Sequence, residues 1–131
     1  MKKRMFFLSI ATVLLAQQSF AGPFQYECDV ESLQHDSGIA PADALQRWKA
    51  NKIYVERDTG IILHPEMFAT SKHQIKRSIV FDKGGQNTDY KAVSITIAGF
   101  MAAINVNAFA RGVKKPFAMI VAGKAMTGFC Q

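Results

Sequence analysis

The sequence predicts a mainly β fold, a small antiparallel β-barrel or sandwich of about seven to eight strands with one short helix. Three observations carry that expectation. Residues 24–31 alternate strictly, with Phe24, Tyr26, Cys28 and Val30 on one face and Gln25, Glu27, Asp29 and Glu31 on the other, the period of a half-buried antiparallel strand. Turn-forming clusters punctuate the rest of the chain at short intervals, the strongest being Lys83-Gly84-Gly85-Gln86-Asn87. The two cysteines, Cys28 and Cys130, lie near opposite ends of that β-rich stretch, and in an oxidising compartment they are expected to bridge the first and last strands.

The oxidising compartment follows from the leader. Lys2, Lys3 and Arg4 precede an apolar run from Met5 to Ala16, and Ser19-Phe20-Ala21 is a small-x-small cleavage site, so residues 1–21 read as a cleaved secretory signal peptide of bacterial type. Gln17 and Gln18 end the run short of the ~18 apolar residues a membrane span needs. The remaining residues 22–131 suit a single β-rich domain with no transmembrane segment, and the expected location is periplasmic or secreted.

Within that domain, the first strand is followed by an aperiodic stretch, residues 32–40, read as a loop. Pro41 then opens a short helix through residue 50, with Asp43 near its positive end and Arg47 and Lys49 near its negative end. Leu45 and Trp48 share its apolar side. Residues 52–58 form a second strand, and Asp58-Thr59-Gly60 turns it into Ile61-Ile62-Leu63. Pro65 cannot donate to a ladder, so this arm stops near His64. Residues 74–82 and 90–97 make a hairpin around Gly84-Gly85, with Val93, Ile95 and Ile97 on one face and Lys91 at its rim. Residues 98–104 fit helix or strand by composition, while Asn105 and Asn107, alternating with Val106 and Ala108, favour strand. Pro116 leads a strand through Val121 with Phe117, Met119 and Val121 on one face, and Gly123-Lys124 turns the chain into a last strand carrying Cys130. Bridged first and last strands suit closure of a barrel; an open sheet covered by the helix is the alternative.

The formal net charge is +6, of which the leader supplies three. From residue 22 to residue 45 there are five acids and no Lys or Arg, and from residue 90 to the end five bases and no acid. Two outcomes are open: the acidic first strand lies beside basic last strands and the charges cancel, or the bases gather for an anionic partner. The candidate patch is Lys72, Lys76, Arg77, Lys114 and Lys115, suited to anionic lipid or a cell-wall polymer; export argues against nucleic acid.

No motif of hydroxyl, thiol or metal catalysis is present, and two cysteines without a CxxC spacing are a poor zinc site. No catalytic residue, metal ligand or cofactor is therefore assigned. His64 with Glu66 is the nearest acid/base pair, the basis of an alternative reading as a small envelope hydrolase. Trp48, Phe100, Phe109, Phe117 and Met119 are the candidate lining of an apolar pocket, or else core filling. The leading expectation is an exported bacterial envelope protein acting as a non-catalytic binding or interaction module for an unidentified envelope ligand or protein. Inhibition of a wall-degrading or host enzyme is a further alternative.

Overall fold

In chain order the elements are β1 (Gln25–His35), α1 (Ala44–Lys49), β2 (Ile53–Glu56), β3 (Ile62–Leu63), two single 3-10 turns at Pro65–Met67 and Lys72–Gln74, then β4 (Ile75–Lys83), β5 (Tyr90–Thr96), β6 (Met101–Val106), β7 (Lys115–Val121) and β8 (Lys124–Cys130). This computed structural model describes residues 24–38 and 40–131, and the predicted signal peptide lies outside the described residues. All strand pairs are antiparallel and form one sheet in the order β3-β2-β1-β8-β7-β6-β5-β4. The sheet curls into a half-barrel. First and last strands are neighbours, as expected from the cysteines, but the edges of the sheet are β3 and β4, so the opening falls in mid-sequence.

Cys28 and Cys130 are register partners on β1 and β8, disulfide-bonded with their Cα atoms 3.9 Å apart. Glu27 and Gln131 exchange backbone hydrogen bonds beside them at 3.0 and 2.9 Å, which makes the cysteines a narrow, non-hydrogen-bonded pair of the ladder. β1 does not end where its clean alternation ends. A bulge between Val30 and Ser32 resets the register, and Ser32 to His35 pair with Thr127 to Lys124. The sequence predicts a loop there because the pairing that makes it a strand is supplied by residues about ninety positions away. Gly128 permits this close passage: a Cβ at that position would lie 1.9 Å from the Asp29 carbonyl oxygen.

α1 is shorter than the predicted 41–50 helix. Pro41 sits in the turn before it, where its carbonyl accepts from the Ala44 N–H at 3.0 Å, and Trp48 is buried in the core. Residues 98–104, ambiguous in composition, divide into a turn with Gly99 at φ +95 and the start of β6.

The concave side is filled by side chains. Tyr26 and Tyr90 meet edge to face with centroids 5.4 Å apart, and Ile53, Val55, Ile62, Met67, Phe117, Met119 and Met126 pack around them. The Tyr90 hydroxyl crosses the interior to donate to the carbonyls of Glu56 and Arg57, at 3.3 and 3.1 Å, and burial pushes its pKa up to about 12. On the open side the β2–β3 turn comes against β4. Gly60, at φ +77, is required there, because a Cβ would stand 2.7 Å from the Ile79 carbonyl oxygen.

The inner face of β5 is Tyr90, Ala92, Ser94 and Thr96, all buried. The face with Val93, Ile95 and, just past the strand, Ile97 is the outer one. Concave curvature crowds side chains, so small residues line it: Ala92 opposes Val80 and Ile104, and Ser94 opposes Ser78 and Ala102.

Candidate functional site

That inversion leaves an apolar outer surface on β4 to β7. The register aligns Ile79, Val93, Ala103 and Ile120 in one row across the four strands. Ile79, Phe81, Met101 and Ile120 are 50%, 67%, 58% and 63% exposed. Phe81 occupies the β4 bulge between Val80 and Asp82, which takes it out of the ladder and sets its ring beside the row. With Lys91, Val93, Ala103, Asn105, Ala118 and Ile120 it bounds a depression of about 280 Å³. A contiguous apolar surface of this kind marks an interaction site more often than scattered exposed side chains do.

The depression continues in both directions along β7. A hollow of about 300 Å³, lined by Asp89, Asn105, Asn107, Pro116, Phe117 and Ala118, shares Asn105 and Ala118 with it. A third, of about 250 Å³ and lined in part by His35, Asp36, Gly123 and Lys124, shares Ile120. From Pro116 to Gly123 the groove runs on the order of 20 Å at the rise of a strand. Its two ends hold polar atoms that are buried and have no hydrogen-bond partner: Oδ1 of Asp89 and Oδ1 of Asn107 at one end, Nε2 of His35 at the other.

The predicted basic patch does not assemble. Arg77 pairs with Ile95 near the end of β5, whereas Lys115 pairs with Cys130 at the opposite end of the sheet. Lys76, Arg77 and Lys114 are exposed. Lys72 is spent on Glu56, whose carboxyl it holds below the ordinary carboxylate range, and the Lys115 ammonium donates to the Ala110 carbonyl. The acidic first strand finds its cation close by: Asp29 pairs with Lys52, at the start of β2, at 2.9 Å, and not with the basic last strands.

The five residues of the predicted apolar pocket occupy separate settings. Phe117 and Met119 belong to the concave core and Trp48 is buried beneath α1. Phe100 packs at the edge of that core against Phe68, ring centroids 5.6 Å apart, and Phe109 is exposed in the β6–β7 connection.

His64 is 1% exposed. Its Nε2 faces two carbonyls, Trp48 at 3.1 Å and Asn51 at 3.3 Å, so that nitrogen carries the proton and donates. Its Nδ1 accepts from the Glu66 N–H at 3.1 Å, capping the 3-10 turn Pro65–Met67. Burial holds the imidazole pKa below its ordinary value. The Glu66 carboxylate turns to Arg47 at 3.5 Å, so the two groups of the hydrolase reading are engaged elsewhere. Among the described residues no three His, Cys, Asp or Glu side chains converge on a metal-sized site, and no helix is long and apolar enough to cross a membrane.

No family model, curated protein or solved structure matches the chain. The outer face is not evident when each of its strands is assigned a single apolar parity. The available signal was apolar residues on both parities, as in Ala92 with Val93 and Met119 with Ile120, a pattern that marks strands covered on both faces.

Proposed function

We propose that the protein is an exported bacterial envelope protein that works as a non-catalytic binding or interaction module, through the outer face of β4 to β7. The observation that carries this reading is the outward apolar row of Ile79, Val93, Ala103 and Ile120, in which Ile79 and Ile120 are exposed and Val93 and Ala103 half-buried, with exposed Phe81 at its side. The signal-like leader and the Cys28–Cys130 disulfide support export to an oxidising compartment. Engagement of both His64 nitrogens by backbone groups weighs against the hydrolase alternative. The partner sought is an envelope protein or ligand.

Native mass spectrometry of the protein purified from the envelope fraction of its own host tests the proposal. The expected species begins at Gly22, is two hydrogens lighter than the reduced chain, and carries a bound molecule that Ile120→Glu releases. Because Ile120 is exposed, that substitution is expected to change stability by no more than about 0.5 kcal/mol. An uncleaved chain overturns export, and a bound molecule retained by Ile120→Glu overturns the assignment of the face.

A further inference from the structure

We infer that the groove along β7 receives a segment of a partner protein that is apolar along its length and presents a lysine or arginine to Asp89 and Asn107. The inference rests on the binding role proposed for the outer face and adds the chemistry of what binds there.

Asp89 and Asn107 line the same hollow, and Oδ1 of each is buried without a hydrogen-bond partner. Buried acceptors left unsatisfied are rare and costly. Carboxylate and carboxamide oxygens only accept, so whatever completes them must donate. Of the chain's own nearby cations, Lys115 donates to the Ala110 carbonyl, and Lys91 lines the adjoining depression in register with Asn105 and is not ion-paired with Asp89 among the described residues. Asp89 makes no ion pair among the described residues.

The walls then discriminate among donors. A hard metal ion takes six or more oxygen ligands and favours several carboxylates, whereas this hollow offers one carboxylate with Asn105 and Asn107 between Pro116, Phe117 and Ala118. A nitrogen cation on an alkyl stem fits better, since its charge meets Asp89 while the stem lies on apolar surface. Beyond Asn105 and Ala118 the groove continues past Val93, Ala103 and Ile120, which suits apolar side chains next to the cationic one. β7 is paired on both sides, by β6 and β8, so the segment docks through side chains and not by adding a strand.

Three capped tripeptides test this: acetyl-lysyl-valyl-phenylalaninamide, the same peptide with norleucine in place of lysine, and the same with glutamate. Binding is followed by backbone and side-chain amide shifts, with calcium chloride alone as a separate titration. The lysyl peptide is expected to shift the side-chain amides of Asn105 and Asn107 and to bind at least tenfold more tightly than the norleucyl peptide, with the glutamyl peptide weakest. Asp89→Asn is expected to reduce the lysyl affinity to the norleucyl level and leave the latter unchanged. Should Asp89→Asn fail to fold, Asn107→Leu is expected to narrow the same preference. Equal binding of lysyl and norleucyl peptides overturns the cationic site while leaving the groove. Absence of binding by all three overturns the groove itself. Shifts produced by calcium and not by the lysyl peptide assign the oxygens to a metal ion and overturn the inference.

Discussion

The imidazole of His64 lies on the indole of Trp48, with ring centroids 4.2 Å apart and planes 16° apart, and its Nε2 proton is donated to the carbonyl of the same tryptophan. A helix of six residues has little stability of its own. This double attachment, stacking and hydrogen bond together, fastens α1 to the end of β3.

His64→Ala is expected to lower the free energy of unfolding by about 3 kcal/mol, since it removes a buried ring and leaves two carbonyls and an N–H without their partner. The pH dependence follows from burial. The folded imidazole has its pKa depressed below the ordinary 6.5, so the unfolded chain takes up a proton that the folded one resists. The contribution is full above pH 6.5 and is lost as pH falls from there toward the folded pKa. Denaturant midpoints at pH 7.5 and 5.0 should therefore differ, and His64→Gln should reduce that difference. An undiminished difference in the variant would assign the effect to other groups.

Gly128→Ala is expected to destabilise by at least about 3 kcal/mol, beyond ordinary overpacking. The new methyl would meet the Asp29 carbonyl oxygen at 1.9 Å and the Phe117 ring at 2.8 Å, and the backbone oxygen belongs to the disulfide-bearing strand. Gly85→Ala is the control, with nothing nearer than Thr88 Oγ1 at 3.8 Å, and should stay within about 0.5 kcal/mol of the parent. Similar thermal midpoints for the two variants would refute the close passage of β1 and β8.

The Cys28–Cys130 bridge spans 102 residues of sequence. Loop-closure entropy for a loop of that order is about 4.7 kcal/mol, and replacing both cysteines by alanine is expected to cost about 4 kcal/mol in denaturant titrations. Both cysteines are fully buried, so dithiothreitol should reduce the wild type at the rate at which it unfolds. Rapid reduction of the native protein without loss of structure would contradict that burial.

Most strands were legible as segments because their information is local. Alternation across residues 24–31 marks β1, Asp58-Thr59-Gly60 marks the β2–β3 turn, and Gly84-Gly85 marks the β4–β5 turn. The pairing of Cys28 with Cys130 was legible because two cysteines allow one intramolecular bridge. Elsewhere the local signal was incomplete. Residues 32–35 became strand only through Lys124 to Thr127, and residues 101–106 through β5 and β7.

The sequence by itself determined a β-rich chain, its principal turns, its one short helix and the neighbourhood of its first and last strands, all consequences of period-two patterning and turn chemistry. Only the tertiary structure decided that β3 and β4 are the free edges, that Val93 and Ile120 face outward while Ser94 and Thr96 are buried, and that Asp89 and Asn107 share one hollow. The physical reason is that a strand's two faces are exchanged by a one-residue change of register. Here that register is set by irregularities at Glu31, Lys76 and Phe81 and by the space available on the concave side, quantities that no short window of residues contains.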